Sequence, residues 1–224
     1  MALIFVCIGI FVAVAVVIAY ILHWYEEERV KEFAAVAKKL GLEFFPEGDP
    51  ELLESLGEFS LFRLGYAHKL KPLIRGRTQN LDAAIFNYRY TTGGGDASST
   101  FQQTMICLES SSLDLPAFEL RPSGFGRRLA KLFGSKHVEF QEYPSFAKKY
   151  VVRGDDEEAL REFFSPEVIE QLESTEGLHV MGQGGRLVFY RPSKRLRGYE
   201  LRPFLEEAFK VYGEFKHANP SEVP

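Results

Sequence analysis

Three consecutive glycines, Gly93, Gly94 and Gly95, invite a phosphate-binding reading in this 224-residue chain. A phosphate loop must run into a helix whose N-terminus faces the anion, and it ends in Lys-Ser/Thr. Here Asp96, Ala97, Ser98, Ser99 and Thr100 follow and lead into a β pattern, which predicts a flexible hairpin tip. Gly124 and Gly126 open a predicted helix after a strand, as a dinucleotide motif does. Leu129 stands at the third glycine position, and the parallel βαβ setting is missing. Cys107 lies between Ile106 and Leu108 on a predicted strand, where a packed thiol is the default over a nucleophile. The five histidines (His23, His68, His137, His179 and His217) are scattered, none at metal-ligand spacing. Asp155, Asp156, Glu157 and Glu158 sit at a predicted helix start, where the macrodipole favours acids. No catalytic residue, cofactor, cofactor-binding residue or metal ligand is therefore assigned.

Charge segregation is more informative. Residues 121–153 hold eight bases against two acids, a net of +6, and residues 154–176 hold nine acids against one base, a net of −8. Arg127, Arg128 and Lys131 flank an apolar side formed by Phe125, Leu129, Leu132 and Phe133 on a helix predicted over 123–133. They are the candidate contacts for anionic lipid headgroups. A solvated face is the bland alternative. The overall charge of −4, with 26% charged residues, gives no basis for nucleic-acid binding.

The elements that must position these groups read as α+β. Residues 42–45 form a short strand, and Asp49 followed by Pro50 opens a brief helix. Strands over 73–78, 81–91 and 100–109 make a meander, with Phe86, Tyr88 and Tyr90 alternating against Ile85, Asn87 and Arg89. A strand around 118–120, a strand over 136–141, a helical turn over 144–149 and a strand over 150–153 follow. Two helices then begin at Asp155 and Ser165. A hairpin joins 178–181 to 186–191, and Leu201, Phe204, Leu205, Ala208, Phe209 and Tyr212 make the stripe of a last amphipathic helix. Strands joined by short turns predict a mostly antiparallel sheet with flanking helices.

The beginning of the chain is of another kind. Residues 2–22 contain no charge and no proline, and 21 residues at about 1.5 Å each make roughly 31 Å of helix. A transmembrane anchor is expected over 1–25, followed by an amphipathic stalk helix over 26–41 with Val30, Phe33, Ala34, Ala37 and Leu40 on its stripe. An α+β domain fills 42–216, with a subdivision near 134 left open, and a disordered tail fills 217–224. Arg29, Lys31, Lys38 and Lys39 all follow the anchor, which places the N-terminus outside and the domain in the cytoplasm.

Residues 137–192 add a resemblance. The run VEFQEYPSFAKKYVVRGDDEEALREFFSPEVIEQLES, then a hairpin ending GGRLVFYRP, is similar to the second half of an uncharacterised bacterial family of membrane-anchored proteins. In that family a strand, Pro-x-Phe, Tyr-Val, two acids, a Ser/Thr-Pro-Glu helix and a Gly-rich hairpin succeed one another. The resemblance implies a bacterial inner-membrane protein of unknown role and carries over no active site. The function expected is a single-pass, non-enzymatic membrane protein whose domain binds a protein partner or the membrane surface. Its bilayer contact would be residues 2–22. The alternative is a membrane-tethered enzyme whose site is assembled from residues that spacing does not reveal.

Overall fold

The computed structural model describes residues 2–124 and 136–218; the side chains of residues 2–10, 12, 22 and 96 are outside that description. Helix α1 (Ala2–Leu40) runs unbroken for 39 residues. Gly41, at φ +69°, stops it in the left-handed conformation that favours glycine. β1 (Glu43–Phe45) and α2 (Pro50–Ser55) follow. The Asp49 carboxylate caps α2 by accepting from the Glu51 and Leu52 amides. Two 3₁₀ turns, Leu56–Glu58 and Ser60–Arg63, lead into a meander of β2 (Tyr66–Arg77), β3 (Leu81–Thr92) and β4 (Ser99–Ser110).

β5 (Leu115–Pro122), β6 (His137–Val138), α3 (Pro144–Lys149) and β7 (Tyr150–Gly154) come next. α4 (Glu157–Phe163), α5 (Pro166–Glu173), β8 (His179–Gly184), β9 (Arg186–Tyr190) and α6 (Gly198–His217) complete the order. Among the described residues the strands form one nine-stranded sheet, β1-β2-β3-β4-β9-β8-β5-β7-β6, antiparallel at every pairing. The β4–β9 ladder, Met105 opposite Tyr190 through Glu109 opposite Arg186, carries the sheet across both halves of the chain.

Alternation along the strands gives the sheet two unlike faces. One face, with Ile74, Ile85, Ile106, Leu120, Val152, Val180 and Phe189, is covered by α1, α3, α4, α5 and α6. Phe33 and Ala37 of α1 enter that core beside Leu201, Phe204 and Ala208 of α6. The other face, with Leu73, Phe86, Tyr88, Met105, Met181 and Tyr190, is covered by Leu52 of α2 and by Leu56, Phe59, Leu61 and Phe62 of the two 3₁₀ turns. Rings dominate here: Phe62 lies 4.5 Å from Tyr88, and Tyr90 5.2 Å from Phe101.

The transmembrane expectation is corrected. Among the described residues no helix is long and apolar enough to cross a membrane. The described side chains of α1 begin at Phe11, and the charged run opens at Glu26. Residues 11–25 make about 22 Å of helix, short of the roughly 30 Å a hydrocarbon core requires. Residues 2–10 share the helical backbone, but their side chains, and so most of the proposed anchor, lie outside the description. The single-pass placement in a bacterial inner membrane, with the N-terminus outside and the domain cytoplasmic, is withdrawn with it.

Smaller departures have local causes. The strand expected over 136–141 is only two residues long, because the Tyr143 amide turns back to the Phe140 carbonyl at 3.0 Å. α4 is capped by Asp156, which accepts from the Ala159 amide at 3.0 Å, rather than by Asp155. His217 still belongs to α6, while residues 219–224 of the expected tail are outside the described residues. The helix expected over 123–133 also falls almost wholly outside them.

Candidate functional site

The most accessible feature is the part of α1 that precedes its docking on the sheet. Val14, Ile18, Ile21 and Tyr25 recur along one side, and Val16 and Tyr20 lie roughly opposite. All are exposed, with Phe11 at 76% and Tyr20 at 70%. Trp24 and Tyr25, packed edge to face at 5.3 Å, mark the end of the apolar stretch. Among the described side chains of α1, His23 is the first polar group other than the Tyr20 hydroxyl, and the charged run begins at Glu26.

From Glu26 onward α1 is held by the connection between β9 and α6. Arg195 donates to both Glu26 carboxylate oxygens at 2.6 and 2.7 Å. Arg29 donates to the Leu196 carbonyl at 3.1 Å, and the Gly198 amide donates to Glu32 Oε2 at 3.1 Å. The Arg195 hydrogen bonds hold the Glu26 carboxyl below its ordinary range against a smaller opposing effect of burial. Burial, reinforced by the charges of Arg195 and Arg197, lowers the Arg29 guanidinium. The connection is itself fixed to β4: the Thr104 amide donates to the Lys194 carbonyl at 2.9 Å, and the Leu196 amide to Thr104 Oγ1 at 2.8 Å.

A cleft of about 570 Å³ opens where α1 leaves the sheet, within the range of small-ligand sites. His23, Glu26, Glu27 and Val30 form its helical wall. Lys69, Lys71 and Pro72 of β2, Asn87 and Arg89 of β3, and Gln102 of β4 form its floor. Its carboxylates are engaged: Glu26 with Arg195, Glu27 with His23 at 3.2 Å, and Glu47 with Lys71 at 2.6 Å. Its donors are in part unused. Asn87, 5% exposed, accepts at Oδ1 from the Thr104 hydroxyl at 2.7 Å, while its Nδ2 has no hydrogen-bond partner. In this arrangement Thr104 Oγ1 accepts from the Leu196 amide and donates to Asn87 Oδ1.

The opposite face holds a second polar group. Glu119 and Arg121 on β5, Arg153 on β7, His179 on β8 and Tyr190 on β9 all point to that side. Glu119 pairs across the ladder with Arg153 and Met181, and His179 Nδ1 lies 2.9 Å from the Tyr190 hydroxyl. Burial pushes the His179 imidazole down to about 3, with help from the Arg121 charge. Burial raises the Glu119 carboxyl, opposed by Arg121 and Arg153. A cavity of about 260 Å³ beside them is lined by Glu58, Arg63, Glu119, Arg153, Asp155 and Gln183. A histidine held neutral so firmly is a weak general base, and the Cys107 thiol, pushed up to about 12 by burial, is a weak nucleophile.

Arg127, Arg128 and Lys131 lie outside the described residues, so the structure places none of the sequence-derived headgroup contacts. Gly93 and Gly95 take positive φ in the β3–β4 connection, a tip that returns directly into β4. Among the described residues no cluster of metal-ligating side chains occurs. Sequence spacing missed the cleft because its residues come from positions 23–30, 46–47, 69–72, 87–89, 102 and 195.

No family model matches the chain, and no curated protein matches it. Among solved structures the fold is similar to the crystal structure of the mycobacterial trehalose monomycolate transport factor A, TtfA. The TM-score is 0.57 at 12% identity, over 86% of this chain and 93% of that one. At that identity the likeness is one of fold.

Proposed function

We propose that this protein is a non-catalytic binding module that works at a lipid surface. One observation carries the reading: residues 11–25 expose large apolar side chains over most of the circumference of α1, next to a folded domain that buries its own core. A protein groove covers one face of a helix. A lipid surface accepts a broader apolar arc than a groove does, and so suits this segment. Trp24, Tyr20 and Tyr25 sit at the charged end of the stretch, where amphipathic rings favour the boundary between apolar and aqueous phases. The similar fold of TtfA, named for trehalose monomycolate transport, lends support to a lipid-associated role.

The test is co-flotation of the full chain with phosphatidylcholine vesicles. The wild type is expected in the vesicle fraction. A Val16→Lys, Ile18→Lys variant should stay in the dense fraction while keeping the circular dichroism of the wild type. A wild-type chain that stays in the dense fraction would refute the proposal.

A further inference from the structure

We propose that the cleft beneath α1 binds a phosphate ester, the headgroup of an anionic lipid presented from the surface that α1 engages. This inference rests on the lipid-surface role for the source of the ligand, and on the cleft alone for its chemistry. Asn87 Nδ2 is a buried donor without a partner on the cleft floor. A buried donor left unpaired destabilises the fold, so a ligand acceptor that reaches it restores what the protein forgoes. Lys69 and Arg89 are exposed at the same floor and form neither a hydrogen bond nor an ion pair among the described residues. Arg89 does act electrostatically on Glu26.

The acids of the cleft each have a nearer partner than these donors: Glu26 has Arg195, Glu27 lies 3.2 Å from His23, and Glu47 has Lys71. Two unpaired cations and an unpaired amide N–H select an anion with several acceptor oxygens, which a phosphate ester supplies. Position adds the lipid. His23 on the cleft wall is followed directly by Trp24 at the end of the apolar stretch. A headgroup in the cleft therefore leaves its acyl chains beside exposed Tyr20 and Ile21.

The experiment uses the full chain and its single tryptophan, Trp24, as a fluorescence reporter. Vesicles of phosphatidylcholine are compared with the same vesicles doped with phosphatidic acid, and free glycerol 1-phosphate is titrated separately into detergent-solubilised protein. Doped vesicles should bind about ten-fold more tightly than neutral ones. Glycerol 1-phosphate should perturb Trp24 and compete with the doped vesicles.

The Lys69→Gln, Arg89→Gln variant, altered only at exposed positions, should lose both the preference and the response to glycerol 1-phosphate while keeping its binding to neutral vesicles. The isosteric Asn87→Asp variant, which sets a negative charge against the phosphate, should behave alike. Equal binding of both vesicle types by the wild type overturns the headgroup site and leaves the lipid-surface role standing. So does a preference that survives in the double variant. A variant-sensitive response to glycerol 1-phosphate without any vesicle binding refutes the lipid source and supports a site for free phosphate esters.

Discussion

Acid should weaken this fold in part through His179. It is 2% exposed, bonded to the Tyr190 hydroxyl, and held down to about 3 by burial and by Arg121. In the unfolded chain the same imidazole titrates near 6.5. The folded state thus disfavours the proton that the unfolded state accepts. The stability associated with neutral His179 is complete above about pH 6.5 and is lost as pH falls from there towards 3. At pH 5 the unfolded histidine sits about 1.5 units below its pKa, which at about 1.36 kcal/mol per unit costs about 2 kcal/mol. For a chain of this size that is a fall in Tm of about 4–8 °C. Glu119, whose carboxyl is raised, acts with the opposite sign near and above pH 4.5, so the comparison must isolate the histidine. His179→Gln keeps a polar group towards Tyr190 and removes the titration. Thermal melts of both proteins at pH 7.5 and pH 5 give the difference: the wild type should lose about 2 kcal/mol more than the variant. Equal losses would mean that the burial of His179 does not penalise its protonation.

The remaining predictions concern the core. Phe33, fully buried between the sheet and α6, should cost about 3–5 kcal/mol when changed to alanine, read from denaturant unfolding, and should loosen α1 from the domain in hydrogen exchange. In a Cys7→Ser background Cys107 should resist alkylation near neutral pH until the chain unfolds, because its thiol is buried and pushed up to about 12. Rapid labelling of the folded protein would contradict that burial.

The sheet was legible where one face is apolar and the other polar. Phe86, Tyr88 and Tyr90 fall on the face covered by Phe62, and the turn at Gln79 and Asn80 separates β2 from β3. The start of β2 was not, because Lys69, Lys71 and Pro72 interrupt the alternation where the β2–β3 register shifts twice. The charge asymmetry between residues 121–153 and 154–176 was visible in sequence, but among the described residues not every charge in it belongs to an open surface of one sign. Arg121 is buried beside Glu119, and Arg161 links Glu157 to Glu142 across the boundary. A one-dimensional count of charge cannot separate a buried base from a solvated one.

The cleft had a signal too, but one that needs the register to be read. On the face beneath the helices, β3 and β4 pair Ile85 with Ile106, then Asn87 with Thr104, then Arg89 with Gln102. Each step is two residues along both strands, and each is more polar than the last. Two adjacent strands change character together at the level where α1 passes from Phe33, fully buried, to Glu26, exposed. A straight helix laid on a right-twisted sheet diverges from it, and the wedge between them must be filled by side chains or left to solvent and ligand. Large apolar residues would have closed it. Asn87, Arg89 and Gln102 instead present amide and guanidinium groups to the wedge, and Arg195 fixes the helix above it through Glu26. The polar floor and the latched helix are therefore parts of one arrangement, in which the point where α1 leaves the domain is also the point where the domain can hold a polar ligand.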